Sequence, residues 1–217
     1  MITIWQHGVD EAGGEVVEHL VGTREPFEIL RLYETRKIPS DLPSHLIILG
    51  GQMSVNNTVE YPFFYDEQKA IRQMIEEGRP VLGICLGAQM IAAARGDQVF
   101  PSTPEKGWSV ITGCDPEWHA IFPNEFMVFH WHHETFNFPA GATLLSKGNI
   151  VTNQAFRIGS AVGVQFHPEV TESIISRWSE SLHPEEREVI LRGMLRYLSQ
   201  SRKRCHDLLE AFIRGWE

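Results

Sequence analysis

The sequence predicts an α/β fold: a mostly parallel central sheet flanked by helices, with some extra antiparallel strands and a helical C-terminal tail. Three observations predict it. Short apolar runs alternate with helical stretches from Ile2 to Gly96. From Gln98 to Gln165, strand-like pieces rich in Gly, Pro, Trp and Phe replace the long helices. From Thr171 to Glu217 the pattern is helical and amphipathic. Alternating strands and helices feed a parallel sheet, because parallel neighbours need a crossover between them.

Taken in order, Ile2 to Trp5 reads as a first strand, Glu15 to Gly22 as a helix and Glu28 to Tyr33 as a second strand. His45 to Leu49 is an apolar strand that runs into Gly50 and Gly51. Tyr65 to Glu77 reads as a helix stopped by Gly78, and Pro80 to Ile84 as a buried strand closed by Cys85. Leu86 to Ala94 is built of good helix formers and ends at Gly96. Val110 to Ile111, Phe126 to Phe129, Thr143 to Ser146, Ala155 to Ile158 and Ala161 to Phe166 are the later strand candidates. In the tail, Ile174, Ile175, Trp178, Val189, Ile190, Met194, Leu195, Leu198, Leu208, Leu209 and Phe212 make an apolar face. Nothing in the sequence marks a linker or an internal repeat, so residues 1–217 are expected to form a single domain, with 171–217 a helical extension packed on it.

The 217 residues are 42% hydrophobic, enough for one sizeable core. The formal net charge of -9 argues against nucleic acid as a partner, since phosphate binding wants surplus Lys and Arg. No apolar run approaches the roughly 20 residues of a membrane helix. The start MITIWQHGVDEAGG lacks the basic and apolar regions of a signal peptide. Cys85, Cys114 and Cys205 are an odd, irregularly spaced set, unlike a disulfide framework. A cytoplasmic protein with no membrane partner is expected.

The segment Val81-Leu82-Gly83-Ile84-Cys85-Leu86-Gly87-Ala88-Gln89 carries the chemistry. Glycines two positions either side of Cys85 permit a sharp strand-to-helix turn that lifts the thiol above the sheet. A helix N-terminus favours the thiolate, and the Leu86 N–H points where an oxyanion would form. The strand ending in Gln165-Phe166 leads to His167-Pro168-Glu169. There His167 can act as base and then acid, and Glu169 can orient the imidazole. Ile47-Ile48-Leu49 runs into Gly50-Gly51, whose second N–H is a further oxyanion donor. Each piece alone also reads as structure: a buried Cys, a surface His-Pro turn, a plain strand-ending turn. Their joint presence at three strand ends is what one acyl-transfer site needs. His130, His132 and His133 lie close together, but Glu134 is the only carboxylate near them in sequence, so no metal is expected.

Gly83-Ile84-Cys85-Leu86-Gly87-Ala88-Gln89, Gln165-Phe166-His167-Pro168-Glu169 and Gly50-Gly51-Gln52-Met53-Ser54-Val55 together resemble a class I glutamine amidotransferase. Glu105-Lys106-Gly107-Trp108 and Asn153-Gln154-Ala155-Phe156 resemble the branch similar to the glutaminase part of GMP synthase. The resemblance covers about residues 1–170 and, more loosely, the tail. It implies a flavodoxin-like fold, a Cys85-His167-Glu169 triad and oxyanion donors at Gly51 and Leu86. It also implies that Gln89 holds the amino-acid end of the substrate and that Trp131-His132-His133-Glu134-Thr135 lines the pocket. His133 stands where the branch usually has Gly, Glu134 where it has Asp, and Gln52 where it has Pro. These departures touch the pocket, not the triad.

The implied activity is hydrolysis of a glutamine side-chain amide without a cofactor. Its ammonia would pass to a separate synthetase subunit, because the chain has no G-x-x-x-x-G-K-[ST] motif. A stand-alone γ-glutamyl hydrolase or peptidase, and a non-catalytic binding subunit, are the alternatives. The apolar stripe of the tail packs on the domain's own sheet or forms a homo-oligomer.

Overall fold

The computed structural model describes residues 1–216; the sequence reading at Glu217 lies outside the described residues. In chain order the elements are β1 (Ile2–Gln6), α1 (Gly14–Thr23), β2 (Phe27–Arg31), α2 (Leu32–Thr35), β3 (His45–Ile48), α3 (Phe63–Glu76), β4 (Val81–Ile84) and α4 (Leu86–Ala94). Then follow β5 (Val99–Gly113), β6 (Phe126–Phe136), β7 (Thr143–Lys147), β8 (Asn153–Ile158), β9 (Ala161–Val164), α5 (Glu172–Trp178) and α6 (Pro184–Ile213). The sheet order is β2-β1-β3-β4-β9-β8-β7-β5-β6. The first five strands in that order are mutually parallel and the other four antiparallel. The mixed sheet flanked by helices is the predicted class. No helix among the described residues is long and apolar enough to cross a membrane.

Alternation along the parallel strands splits the core in two. Ile4, Ile47, Leu82 and Val162 face α1 and the end of α6, where Val16, Leu20, Leu208 and Phe212 meet them. Trp5, Ile48, Val81 and Ala161 face the other way, against Phe64, Ile71 and Met74 of α3 and Met90 and Ile91 of α4. A third cluster packs Ile174 and Ile175 of α5 and Ile190 and Met194 of α6 on Phe129 of β6. The tail therefore packs on its own chain along one stripe of α6. Trp216 closes it by donating from Nε1 to the Ser160 carbonyl at 2.7 Å.

Three details differ from the sequence reading. Leu32 and Tyr33, expected as strand, open the short helix α2, which Arg36 ends in the left-handed region at φ 49°. The pieces expected at Val110–Ile111 and Phe126–Phe129 are parts of one long antiparallel ribbon, β5–β6. Pro104 hides it, because pairing is interrupted between Pro101 and Glu105 and the strand pattern breaks there. Val189 and Leu195, expected in the apolar face, are 70% and 86% exposed. They lie off the stripe that runs through Ile190, Met194, Cys205 and Leu209.

A tight backbone approach lies between α4 and β3. A Cβ on Gly87 would sit 2.2 Å from the carbonyl oxygen of Ile48. Because that neighbour is backbone, it cannot swing aside, and Gly87→Ala should cost about 3 kcal/mol, read as a lowered urea midpoint at unchanged slope. An unaltered midpoint would contradict this packing.

Candidate active site

β3, β4 and β9 are neighbours in the sheet and parallel, so their carboxyl ends open at the same edge. In α/β sheets ligands bind beyond that edge. Cys85 follows β4 with φ 52° and ψ -104°, outside the regions a residue with a Cβ adopts freely. Such a conformation costs on the order of 1–3 kcal/mol and must be held by its surroundings. Its N–H donates to the Val164 carbonyl at 2.8 Å, and its carbonyl accepts from Gln89 N–H at 3.1 Å. The turn is so tight that a Cβ on Gly83 would lie 2.5 Å from the Gly87 backbone. Both flanking glycines are thus required sterically. Leu86 opens α4, so its N–H belongs to the turn that has no intrahelical acceptor.

His167 follows β9, and its backbone N–H donates to the Phe129 carbonyl of β6 at 2.8 Å. Its Nδ1 lies 2.7 Å from Glu169 Oε1. That leaves Nε2, buried and without another hydrogen-bond partner among the described residues, as the nitrogen available to Cys85. Both residues are buried, and the ring meets Trp178 edge-on at 4.9 Å between centroids. Burial pushes the imidazole pKa down, but the Glu169 carboxylate and the charge of Cys85 push it up further, so it stands well above the usual histidine value. The Glu169 carbonyl in turn accepts from Glu15 N–H of α1 at 2.8 Å.

Gly50 and Gly51 close the third side. A Cβ on Gly50 would lie 3.1 Å from His167 Cε1 and 3.7 Å from Cys85 Cβ. A Cβ on Gly51 would lie 2.7 Å from Leu86 Cδ2 and 3.0 Å from His7 Cβ. His7, at the end of β1, is fully buried with Nε2 donating to both oxygens of Glu67, at 3.0 and 3.1 Å. Sequence reasoning missed this pair, although a histidine at a strand's carboxyl end was a signal.

A cavity of about 520 Å³ opens above these strand ends. Gln89 borders it, with Nε2 donating to the Glu134 carbonyl at 3.2 Å and to Gln165 Oε1 at 3.4 Å. Gln165 Nε2 reaches Cys85 Sγ at 3.7 Å. Glu134 Oε1 accepts from Ser54 Oγ at 2.9 Å, which ties the pocket wall to the loop after Gly51. His132 is buried in the wall, and His133 is exposed at the rim. Every predicted site residue is therefore brought to one place, Leu86 beside Gly51 and Glu169 behind His167. The carboxylate that joins His130 and His132 is Glu105, brought across from β5, and not Glu134. Gln165, Glu105 and Trp178, named above only in motifs or in the apolar face of the tail, and Glu11 were not assigned to the site from the sequence. The buried carboxyl of Glu11 is held above the ordinary value by burial and by Asp10, against the pull of His167. A thiol, an imidazole, a carboxylate behind it and two free N–H groups are the equipment of acyl transfer.

Residues 14–176 match the family model described as glutamine amidotransferase class-I. The chain belongs to the class-I glutamine amidotransferase family. Among its relatives, the glutamine amidotransferase-like protein YfeJ of Salmonella typhimurium is 29% identical over 199 residues, 84% of this chain and 83% of YfeJ. The glutamine-hydrolyzing GMP synthase of Porphyromonas gingivalis is 32% identical over 160 residues, 69% of this chain but 30% of that enzyme. The crystal structure of a glutamine amidotransferase from Thermotoga maritima superposes with a TM-score of 0.89 at 29% identity, covering 100% of this chain and 97% of that one.

Two outcomes are expected. Cys205 is enclosed, with its thiol pKa pushed well above the usual value by burial, whereas Cys114 is exposed and Cys85 borders the cavity. Iodoacetamide on the native protein should label Cys114 and Cys85 and spare Cys205, read by peptide mass spectrometry. In a Glu169→Gln variant less charge opposes burial, so the His167 imidazole should titrate lower by NMR. The folded pKa is raised, so the stability it contributes is full below about pH 6.5 and is lost as pH rises through the folded value. The urea-midpoint gap between wild type and Glu169→Gln should shrink as pH rises above about 6.5, and a gap that widens would contradict the assignment.

Proposed function

We propose that the protein hydrolyses the side-chain amide of glutamine through a γ-glutamyl thioester on Cys85, releasing ammonia to a separate acceptor enzyme. The observation that carries this reading is the strained Cys85 turn beside the buried His167–Glu169 pair, at neighbouring strand ends. The Cys85 thiolate attacks the Cδ carbonyl. The N–H groups of Gly51 and Leu86 hold the oxyanion, a contribution on the order of 100-fold to 1,000-fold per donor. His167, kept protonated by Glu169, gives its proton to the leaving ammonia. It then takes a proton from the water that cleaves the thioester, and Glu169 fixes the tautomer throughout. Gln89, His132, His133 and Glu134 form the wall that receives the amino-acid end of the substrate.

A separate acceptor is supported by two relatives. The match to the P. gingivalis enzyme spans less than a third of it. A relative from Ignicoccus hospitalis, 32% identical over 130 residues, is itself one subunit of a glutamine-hydrolyzing GMP synthase, and the match covers 57% of this chain and 66% of that subunit. A second reading, a stand-alone γ-glutamyl hydrolase, is favoured by the cavity itself. Its rim carries His133, Trp131 and Lys106, well placed for a leaving group larger than ammonia.

Purified protein should release glutamate and ammonia from glutamine. Cys85→Ala and His167→Ala should each lower kcat at least about 1,000-fold, and Glu169→Gln about 10-fold to 100-fold. Turnover that survives Cys85→Ala would sink the thiol mechanism. Release of amines from γ-glutamyl amides at higher kcat/KM than ammonia from glutamine would favour the second reading.

A further inference from the structure

We propose that Glu105, His130 and His132 form a binding site for a divalent metal ion of the zinc class, enclosed in the β5–β6 ribbon behind the pocket wall. Strand geometry builds the site. His130 and His132 alternate onto one face of β6, and Glu105 is the direct cross-strand partner of His132. One ligand atom from each residue lies within 4.8 Å of the other two, and all three residues are buried.

The spacing of one pair is that of ligands sharing an ion. His132 Nε2 and Glu105 Oε2 are 3.3 Å apart. Two ligands about 2.0–2.1 Å from a tetrahedral zinc ion stand about 3.3 Å from each other. Yet this contact lacks hydrogen-bond geometry, and both ring nitrogens of His132 and of His130 are buried without a hydrogen-bond partner among the described residues. A buried imidazole with both nitrogens unbonded costs free energy that a bound ion or water removes. Gln154 Nε2 donates to Glu105 Oε2 at 3.0 Å and orients the carboxylate, as outer partners of metal ligands do. Two imidazoles and one carboxylate leave a coordination position for water or a pocket ligand. The ion would tie both strands of the ribbon to His132, and so set the wall against which the substrate rests.

The test is run in a Cys85→Ala background, so that zinc held by the Cys85 thiol is not counted. This background also makes the result independent of amide hydrolysis. The protein is purified without metal-chelate resin, stripped with EDTA, reloaded with ZnCl2 or CoCl2, and gel-filtered. About one zinc per chain by mass spectrometry is expected, with the visible absorption of a tetrahedral nitrogen–oxygen site when cobalt is used. Glu105→Gln, which keeps the side chain's shape, and His130→Asn should each weaken zinc binding at least about 10-fold, with native circular dichroism confirming the fold. Absence of stoichiometric metal in the Cys85→Ala protein, or equal retention in a folded ligand variant, would overturn the proposal. Should a variant not fold, the cobalt spectrum of the Cys85→Ala protein decides: no tetrahedral band, no site.

Discussion

The hydrogen bond from the Cys85 N–H to the Val164 carbonyl, 2.8 Å long, is the contact on which the site depends. It is the last rung between β4 and β9, beyond the Ile84–Val164 register pair. Above it the two strands part. One turns into α4 and the other goes on to His167. Because the rung fixes where they part, the thiol and the imidazole begin from a common level. A shift of one residue in the register would turn Val164 and Ile84 to the opposite face and carry His167 away from Cys85. The buried packing of Ile84, Val162 and Val164 on one side and Ala161 and Val81 on the other makes that shift costly.

The strain in Cys85 is borne by neighbours that have no freedom to yield. Gly83 and Gly87 admit the turn, and the Ile48 carbonyl presses on Gly87 from the adjacent strand. Below the Gly51 turn, the His7–Glu67 pair is buried whole, bridging β1 and α3. Broken on one side, such a pair leaves an uncompensated polar group, so it holds its place firmly. On the far side, the N-terminus of α1 meets the Glu169 carbonyl, where a Cβ on Gly14 would come within 2.1 Å. The site is thus framed by backbone contacts at the Cys85 turn and at α1, and by a buried side-chain pair below the Gly51 turn.

What the sequence disclosed follows from this arrangement. Parallel strands are short, apolar and closed by glycine, so β3, β4 and the helix after Cys85 were legible almost to the residue. The residues at their ends were legible because the proposed acyl-transfer chemistry would need particular types there: Cys85, His167, Glu169 and Gly51. The β5–β6 ribbon was not, since Pro104 and Gly107 break its alternation and only pairing across strands reveals it. For the same reason Glu105 could not be joined to His130 and His132 in advance. The two strands lie far apart in sequence, and only their register brings the carboxylate opposite the imidazole. Gln165 was quoted as part of a motif, but its reach to Cys85 Sγ depends on how the chain leaves β9.

The bond from His167 N–H to the Phe129 carbonyl has a mechanical consequence. Phe129 belongs to the same strand as His132 and Glu134, which border the cavity. The backbone at His167 and the pocket wall are therefore joined directly, by one bond between the end of β9 and β6. Under the proposed function, a ligand that displaced β6 would strain this bond as well as the wall. Fit at the wall and alignment of the ring would then be coupled through a single backbone contact rather than through a chain of side chains.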